Sequence, residues 1–120
     1  MLPAAHRLRS AAQFRATTRS GSKAARRSVI AYVLPPSPTE PALSTAMAGL
    51  IVSRSVGGSV VRHRAARRLR ASVAGLLPAL PSGTTVVLRA LPGAAEDLEL
   101  PAQVASAIDQ ALNHAVTRTR

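Results

Sequence analysis

The side chains of this chain that are best suited to chemistry are arginines, and they are concentrated in one segment. Residues 57–72 read GGSVVRHRAARRLRAS and hold five arginines and one histidine but no carboxylate. Arginines on an ordinary helix alternate with Glu one turn away, because such pairs are mildly stabilising and like charges repel each other. Nothing inside this segment compensates its charge. The segment is therefore either a solvated basic face or a binding site for a polyanion.

Carboxylates and histidines offer little to an active site in this chain. Hydrolysis of the glycosidase or nuclease kind needs paired carboxylates, or a carboxylate with a metal ion. Four of the five acids lie close together within residues 96–109, where they can complement the positive end of a helix. The three histidines, His6, His63 and His114, are scattered, and none has a second ligand at helical spacing. We expect no catalytic residue and no metal ligand on this chain.

The charge balance indicates an anionic partner. The formal net charge is +11, and residues 1–95 hold 14 bases against a single acid, Glu40. Such an excess destabilises a compact domain by self-repulsion, and it makes sense when an anionic partner is present. We expect that partner to be a nucleic acid. An anionic membrane surface is the weaker alternative.

Composition also bears on the compartment. The chain has no cysteine, which excludes disulfides, thiolate metal sites and a cysteine nucleophile, and fits a cytoplasmic protein. No stretch approaches the ~18 apolar residues of a membrane span. The opening residues lack the apolar centre of a secretory signal. Their Arg- and Ser-rich, acid-free composition leaves an organelle transit peptide as an alternative.

The elements that must position the arginines begin with a helix. Ser10 and Gln13 have the spacing of a capping box, in which the serine oxygen accepts a backbone N–H and the glutamine reaches back. Phe14 is the main apolar anchor of this first helix, and Gly21 is suited to end it. We therefore predict a helix that starts at Ser10 and ends near Gly21.

Three strands are predicted from branched and aromatic residues. The stretch SVIAYVL at 28–34 is the first, and the proline-rich stretch 35–41 ends it, because proline cannot continue a sheet ladder. A second strand is expected over 45–54, where it could form a hairpin with the first. The stretch TTVVLRAL at 84–91 is the third strand.

The arginine segment itself predicts an amphipathic helix after the break at Gly57 and Gly58, with Ser59 as its N-cap. Its apolar stripe consists of Val61, Ala65, Leu69, Val73 and Leu76. Arg62 falls at the edge of that stripe. At about 100° per residue, four arginines fall on the side away from it: Arg64, Arg67, Arg68 and Arg70.

A last helix completes the predicted order. Pro101 suits its first turn, and Val104, Ile108 and Leu112 supply its buried stripe. The elements then run α-β-β-α-β-α, with room for one extra short strand. We expect an α+β fold in a single domain over residues 1–120.

The central motif resembles the signature of a known family. Residues 52–70, VSRSVGGSVVRHRAARRLR, are similar to that of the protein subunit of bacterial ribonuclease P, where a strand ending in V-S-K-K-V-G leads into a helix with A-V-x-R-N-R. The similarity extends along the chain. HRLRSAAQFRATTRSG resembles the family's opening, SVIAYVL its first strand, and VVLRALPGAA its I-V-x-x-A-R-P-x-A stretch.

This resemblance implies both a fold and an activity. The fold is a compact two-layer α/β sandwich with a left-handed βαβ crossover, as is also found in a domain of a ribosomal protein. The activity is that of an accessory subunit of an endoribonuclease, whose catalytic RNA and bound Mg²⁺ remove the 5′ leader from precursor tRNA. The implied partners are ribonuclease P RNA and precursor tRNA, and neither a membrane nor DNA is expected as a partner. The alternative is a non-catalytic RNA-binding protein, such as a ribosomal protein.

The family's binding positions can be carried over residue by residue. Those that bind the RNA subunit correspond to Arg54, Arg62, His63, Arg64, Arg67 and Arg70, and Arg68 is a base that this chain adds to the predicted set. Those of the leader-binding cleft match Phe14, Arg27 and Tyr32, with core packing as the alternative role of the two rings. This chain departs from the family where His63 replaces an asparagine and where Thr18 and Val29 replace phenylalanines. The cleft is therefore expected to depend less on stacking and more on charge and apolar contact.

Overall fold

The computed structural model describes residues 6–8, 10–36 and 45–118, and its elements follow the predicted order with one strand added. The helices are α1 (Ala11–Ser20), α2 (Ser59–Ala74) and α3 (Leu100–Arg118), and the strands are β1 (Ser22–Ala25), β2 (Val29–Leu34), β3 (Met47–Ile51) and β4 (Thr85–Ala90). The α+β class is confirmed, and β1 is the extra short strand. Residues 37–44, with most of the predicted proline-rich loop, lie outside the described part.

The four strands form one sheet in the order β1-β2-β4-β3. The predicted hairpin between the strands at 28–34 and 45–54 is wrong, because β4 lies between β2 and β3, antiparallel to the first and parallel to the second. The consecutive burial of Val86, Val87 and Leu88 explains the central place of β4, since both its faces are covered there. β3, α2 and β4 thus form a βαβ crossover, which parallel neighbours require.

One face of the sheet carries the core. It presents buried residues from three strands to α2 and α3: Ala31, Val33, Ala48, Val86 and Leu88. From the helices, Leu69 and Val73 of α2 and Val104 of α3 pack into the same cluster, each fully buried. The predicted stripes of both helices are therefore confirmed at their central positions, and burial of these side chains supplies the main stabilisation of the fold.

Among the described residues, the opposite face is covered only at one end. Alternation places Tyr32, Val87 and Gly49 in one row across β2, β4 and β3 on this face. There α1 crosses the sheet, and Thr17 Oγ1 lies 2.7 Å from Thr85 Oγ1. The rest of this face, called here the open sheet face, is formed by half-buried side chains: Ile30, Tyr32, Ile51 and Arg89.

The ends of α1 are fixed as predicted. Ser10 Oγ accepts hydrogen bonds from the N–H groups of Ala12 and Gln13, and Gln13 Oε1 accepts one from the Ser10 N–H at 3.4 Å. At the other end, a Cβ on Gly21 would lie 2.8 Å from the carbonyl oxygen of Val33. Only glycine therefore allows the chain to pass this close to β2 on its way from α1 into β1.

The start of α2 differs from the prediction. Ser59 is not the N-cap: α2 begins at Ser59, its N-cap is Gly58, and no side chain caps the helix. Gly57 has a φ of 148°, which favours glycine, and a Cβ there would lie 2.9 Å from Val61. The start of α2 is thus set by backbone conformation.

Within the described residues, no helix combines the length and the apolarity needed to cross a membrane.

Candidate nucleic-acid interface

The seven predicted RNA-subunit residues do not share one surface, because α2 distributes them around its axis. His63 and Arg67 are exposed on the outer side of α2, and Arg54 is exposed in the 3-10 turn Arg54–Val56 that precedes it. No hydrogen bond or ion pair engages these three side chains within the described part of the chain. We call these three residues the outer basic face: His63 and Arg67 lie one turn apart on α2, Arg54 lies in the turn that leads into it, and all three side chains are available to phosphates.

One edge of α2 faces the loop that follows β4. Arg64 Nη1 donates to Glu96 Oε1 at 3.1 Å in an exposed ion pair, and Arg68 Nη1 donates to the carbonyl oxygen of Ala94 at 3.0 Å. The helical spacing predicted that Arg68 points away from the protein. It is instead half-buried, because the loop at 91–97 folds back along α2 and covers it. Arg68 therefore ties the loop to the helix.

The other edge of α2 faces the N-terminal segment and β3. Arg62 and Arg70 are both half-buried there, and Arg62 Nε is buried without a hydrogen-bond partner among the described residues. Arg70 was also predicted to point away from the apolar stripe. It lies instead at the rim of a recess of about 360 Å³, which Phe14 also lines. This edge therefore joins a predicted RNA-subunit residue to a predicted leader residue.

Phe14 is positioned by a notch in β3. The side chain of residue 49 would point to the α1 side of the sheet, but Gly49 has none, and the Phe14 ring fills that space. A Cβ built on Gly49 would lie 2.6 Å from Cε1 and 3.0 Å from Cε2 of Phe14, and closer still to Cζ. The ring is half-buried, so it packs against β3 and also lines the recess. Packing and binding are thus compatible roles for Phe14.

Tyr32 lies on the other flank of α1. It is directly opposite Lys23 on β1, and both line a recess of about 650 Å³ with Thr18 and Arg19 of α1 and His114 of α3. Within the described residues, neither Arg19 nor Lys23 takes part in an ion pair. This recess combines an aromatic ring with two cations, a combination suited to single-stranded nucleic acid.

Arg27 is separated from both rings. It lies in the turn between β1 and β2, and its Nε and Nη2 donate to the two oxygens of Asp97 at 3.1 and 3.0 Å. Ser28 Oγ and Gln103 Nε2 donate to the same carboxylate, and Arg27 first, then these two, hold the pKa of Asp97 far below its ordinary value. The structure thus brings Phe14 and Tyr32 to one face of the sheet and places Arg27 beside α3.

Arg89 is a candidate that the sequence analysis missed. It lies in the middle of the open sheet face, opposite Ile30 on one side and Ile51 on the other. It is half-buried, and no described group pairs with it. The signal was present in the alternation of TVVLRA: a charged side chain in a central strand indicates that its face is not covered by the core.

Comparison with known proteins gives a consistent family. The family model described as Ribonuclease P matches residues 2–119. The chain is 42% identical over 115 residues to the ribonuclease P protein component of Corynebacterium diphtheriae, covering 92% of this chain and 96% of that protein. It is 43% identical over 97 residues to the corresponding protein of Rhodococcus opacus, covering 79% and 78% of the two chains.

Two solved structures share the fold. The RNase P protein of Staphylococcus aureus superposes with a TM-score of 0.65 at 18% identity, covering 92% of this chain and 94% of that one. The RNase P protein of Thermotoga maritima, in complex with 1-(4-fluorophenyl)-2-thiourea, gives 0.66 at 17% identity, covering 83% and 94%. At such identities the likeness concerns the fold, and the sequence relatives carry the family assignment.

Proposed function

This chain belongs to the family of the ribonuclease P protein component, and from that membership we propose how its surfaces are divided between two RNA molecules. As a member it is the accessory protein subunit of an endoribonuclease, with ribonuclease P RNA as its partner. The outer basic face of α2 binds the RNA subunit. The open sheet face and the flanks of α1 bind the 5′ leader of precursor tRNA. The chain acts as one domain over residues 1–120, in the cytoplasm.

The observation that carries this proposal is the outer basic face. Arg54, His63 and Arg67 are exposed together without a carboxylate partner in the described part of the chain, and Arg64 adds a fourth exposed base. The ion pair of Arg64 with Glu96 is itself exposed, and such pairs are worth only ~0.2–1 kcal/mol. A phosphate can therefore displace Glu96 at small cost. Guanidinium groups suit this role, because they bind phosphate oxygens bidentately.

Leader binding is supported by the face that α1 leaves open. Phe14 packs on Gly49, and Tyr32 lies two strands away in the same row, which corresponds to about 10 Å. Each ring can stack on a base, and such contacts are worth ~1–3 kcal/mol per base. Arg89 lies beside this row, where it can neutralise the backbone of the strand. Arg27 is proposed as a weaker, peripheral contact, because Asp97 already holds its guanidinium.

Catalytic chemistry is proposed to belong to the RNA subunit. Mg²⁺ prefers carboxylate and phosphate oxygens, and the acids next to the basic helix are engaged: Glu96 with Arg64, and Asp97 with Arg27. No group of three or more potential metal ligands occurs among the described residues. The described acids beside the basic helix thus do not fit a magnesium site of their own, since each is already paired with an arginine. We propose that the ions are held by the RNA, and that the protein contributes binding energy and orientation.

The decisive test is reconstitution. Purified protein is added to a bacterial ribonuclease P RNA and assayed on precursor tRNA at limiting Mg²⁺, where cleavage at the mature 5′ end should rise. In the variant carrying both Arg64→Ala and Arg67→Ala, assembly with the RNA should weaken at least about a hundredfold, since each charge-assisted contact is worth ~1.5–3 kcal/mol. Far-UV circular dichroism checks that the fold survives.

Arg15→Ala is the matched control, because Arg15 is an exposed base on α1 that lines neither recess. It removes one charge from a helix to which we assign no contact with the RNA subunit, so assembly should stay close to that of the unchanged protein. A general RNA-binding protein of the ribosomal kind would bind RNA with a steep salt dependence and leave the cleavage rate unchanged. That result would overturn the proposed function.

A further inference from the structure

Arg70 differs from the other bases of α2 in the residues that surround its side chain. The recess of about 360 Å³ that it borders is lined by Arg7, Leu8, Phe14, Ala48, Gly49 and Leu50, so its walls come from the N-terminal segment, α1 and β3. The N-terminal segment is attached to β3 there, since the Leu8 N–H donates to the carbonyl oxygen of Ala48 at 2.9 Å. The recess is thus a defined feature of the fold.

The direction of Arg70 separates it from the outer basic face. Arg67 is exposed on that face, whereas Arg70, almost one turn further along α2, is half-buried on the edge that faces β3. Arg64 and Arg68 lie on the opposite edge, bound to Glu96 and Ala94. Within the described residues, no hydrogen bond or ion pair occupies Arg70. It is a half-buried cation whose partner is not supplied by the described part of the chain.

We propose that Arg70 binds the substrate and not the RNA subunit: its guanidinium holds a phosphate of the 5′ leader at the nucleotide whose base stacks on Phe14. The inference rests on the proposed function, because it takes the leader to be the ligand of Phe14. It moves Arg70 from one RNA partner to the other. The recess then acts as a subsite for one nucleotide, with an aromatic surface for the base and a cation for its backbone.

The dimensions and the lining support a single nucleotide of single-stranded RNA. The volume lies near the lower end of the ~300–1,000 Å³ that is typical of small-molecule sites, a size suited to one nucleotide. Leu8, Ala48 and Leu50 supply apolar contact beside the ring. Half-burial strengthens the charge interaction of Arg70, because the effective dielectric constant is lower than in bulk water. Because stacking accepts every base, the subsite predicts leader binding with little sequence preference.

The test compares Arg70→Gln with Arg67→Gln, a matched change of charge and shape three residues earlier on the same helix. Two affinities are measured for each variant. The first is the affinity of the protein for ribonuclease P RNA. The second is the affinity of the reconstituted holoenzyme for precursor tRNA, measured once with a long leader and once with a leader of a single nucleotide. Arg70→Gln should lower affinity for the long-leader substrate about tenfold. It should leave the short-leader substrate and RNA-subunit affinity within about twofold of the unchanged protein, since only the leader contact is lost.

Salt dependence gives an independent readout. Losing one phosphate contact to a single strand should reduce the slope of log K against log salt by about 0.7 for the long-leader substrate. Phe14→Leu should also weaken long-leader binding, and the double variant should lose less than the two single losses together, because both side chains serve one nucleotide. Arg67→Gln should instead weaken RNA-subunit binding and leave the leader dependence intact.

The outcomes separate this inference from the proposed function. If Arg70→Gln weakens RNA-subunit binding as Arg67→Gln does, and leader dependence is unchanged, Arg70 belongs to the outer basic face and the inference is wrong. If Arg70→Gln abolishes leader dependence while Arg67→Gln leaves RNA-subunit binding intact, the inference stands and our assignment of the outer face fails. If neither variant changes either affinity, both assignments fail.

Discussion

Replacing Gly49 by alanine should push the Phe14 ring out of its position on β3. A Cβ at residue 49 would lie 2.6 Å from Cε1 of the ring, whereas carbon atoms in contact are ordinarily ~3.5–4.0 Å apart. The ring must therefore move by about 1 Å or more, away from the strand and towards the recess. Because the three atoms nearest to that Cβ all belong to the Phe14 side chain, the ring can yield while the sheet itself remains intact.

The magnitude follows from two opposing effects. Crowding a packed site typically costs about 1–3 kcal/mol in the free energy of unfolding. Replacing a strand glycine by alanine returns about 0.5–1 kcal/mol, because glycine loses the most backbone freedom on folding. Gly49→Ala should therefore destabilise the protein by at most ~2.5 kcal/mol and by ~1 kcal/mol near the middle of these ranges. In a Phe14→Ala background the crowding is absent, so the same substitution should stabilise it by ~0.5–1 kcal/mol.

Urea denaturation of the four proteins of this double-mutant cycle measures the effect, provided that the denaturant dependence stays the same. Gly75→Ala is the control, because a Cβ on Gly75 meets nothing within 4 Å and the residue has ordinary helical dihedrals. It should be neutral or slightly stabilising in both backgrounds. If Gly49→Ala changes the free energy of unfolding by the same amount with and without Phe14, the Phe14 ring does not pack in the notch at Gly49, and the reasoning is refuted.

Three further predictions rest on other contacts. Asp97→Asn should destabilise the protein at neutral pH. Because Arg27 lowers the folded-state pKa of the Asp97 carboxyl, the stabilisation that this carboxylate provides is present above its ordinary pKa of about 3.9 and is lost as the pH falls below that value. Urea titrations of the variant and the unchanged protein should therefore converge in acid. Glu96→Gln should raise affinity for ribonuclease P RNA up to about fivefold by freeing Arg64, an effect that must disappear at high salt and in an Arg64→Gln background. Leu69→Ala, at a fully buried site, should cost ~2–5 kcal/mol in urea denaturation, and a cost below ~1 kcal/mol would contradict its place in the core.

Local sequence patterns were sufficient to predict most of the helices and strands and to identify the family. The capping box at Ser10 and the apolar stripe of α2 were predicted because each depends on residues a few positions apart, whose spacing is visible in the sequence. The strand at β4 was found for the same reason. The position of β4 between β2 and β3 was not predicted, because the order of strands in the sequence does not state which of them become neighbours in the sheet.

The sequence by itself determined the charge, the helix that carries it and the resemblance to a ribonuclease P protein. Only the tertiary structure decided which bases remain available. Arg27 is paired with Asp97, 70 residues away, and Arg68 is covered by a loop 26 residues away, while Arg70 reaches the recess of Phe14. A helical repeat gives the direction of a side chain from its own axis, but its partner depends on which distant segment folds against that side. That long-range packing is what divides one basic helix into an outer face and two differently occupied edges.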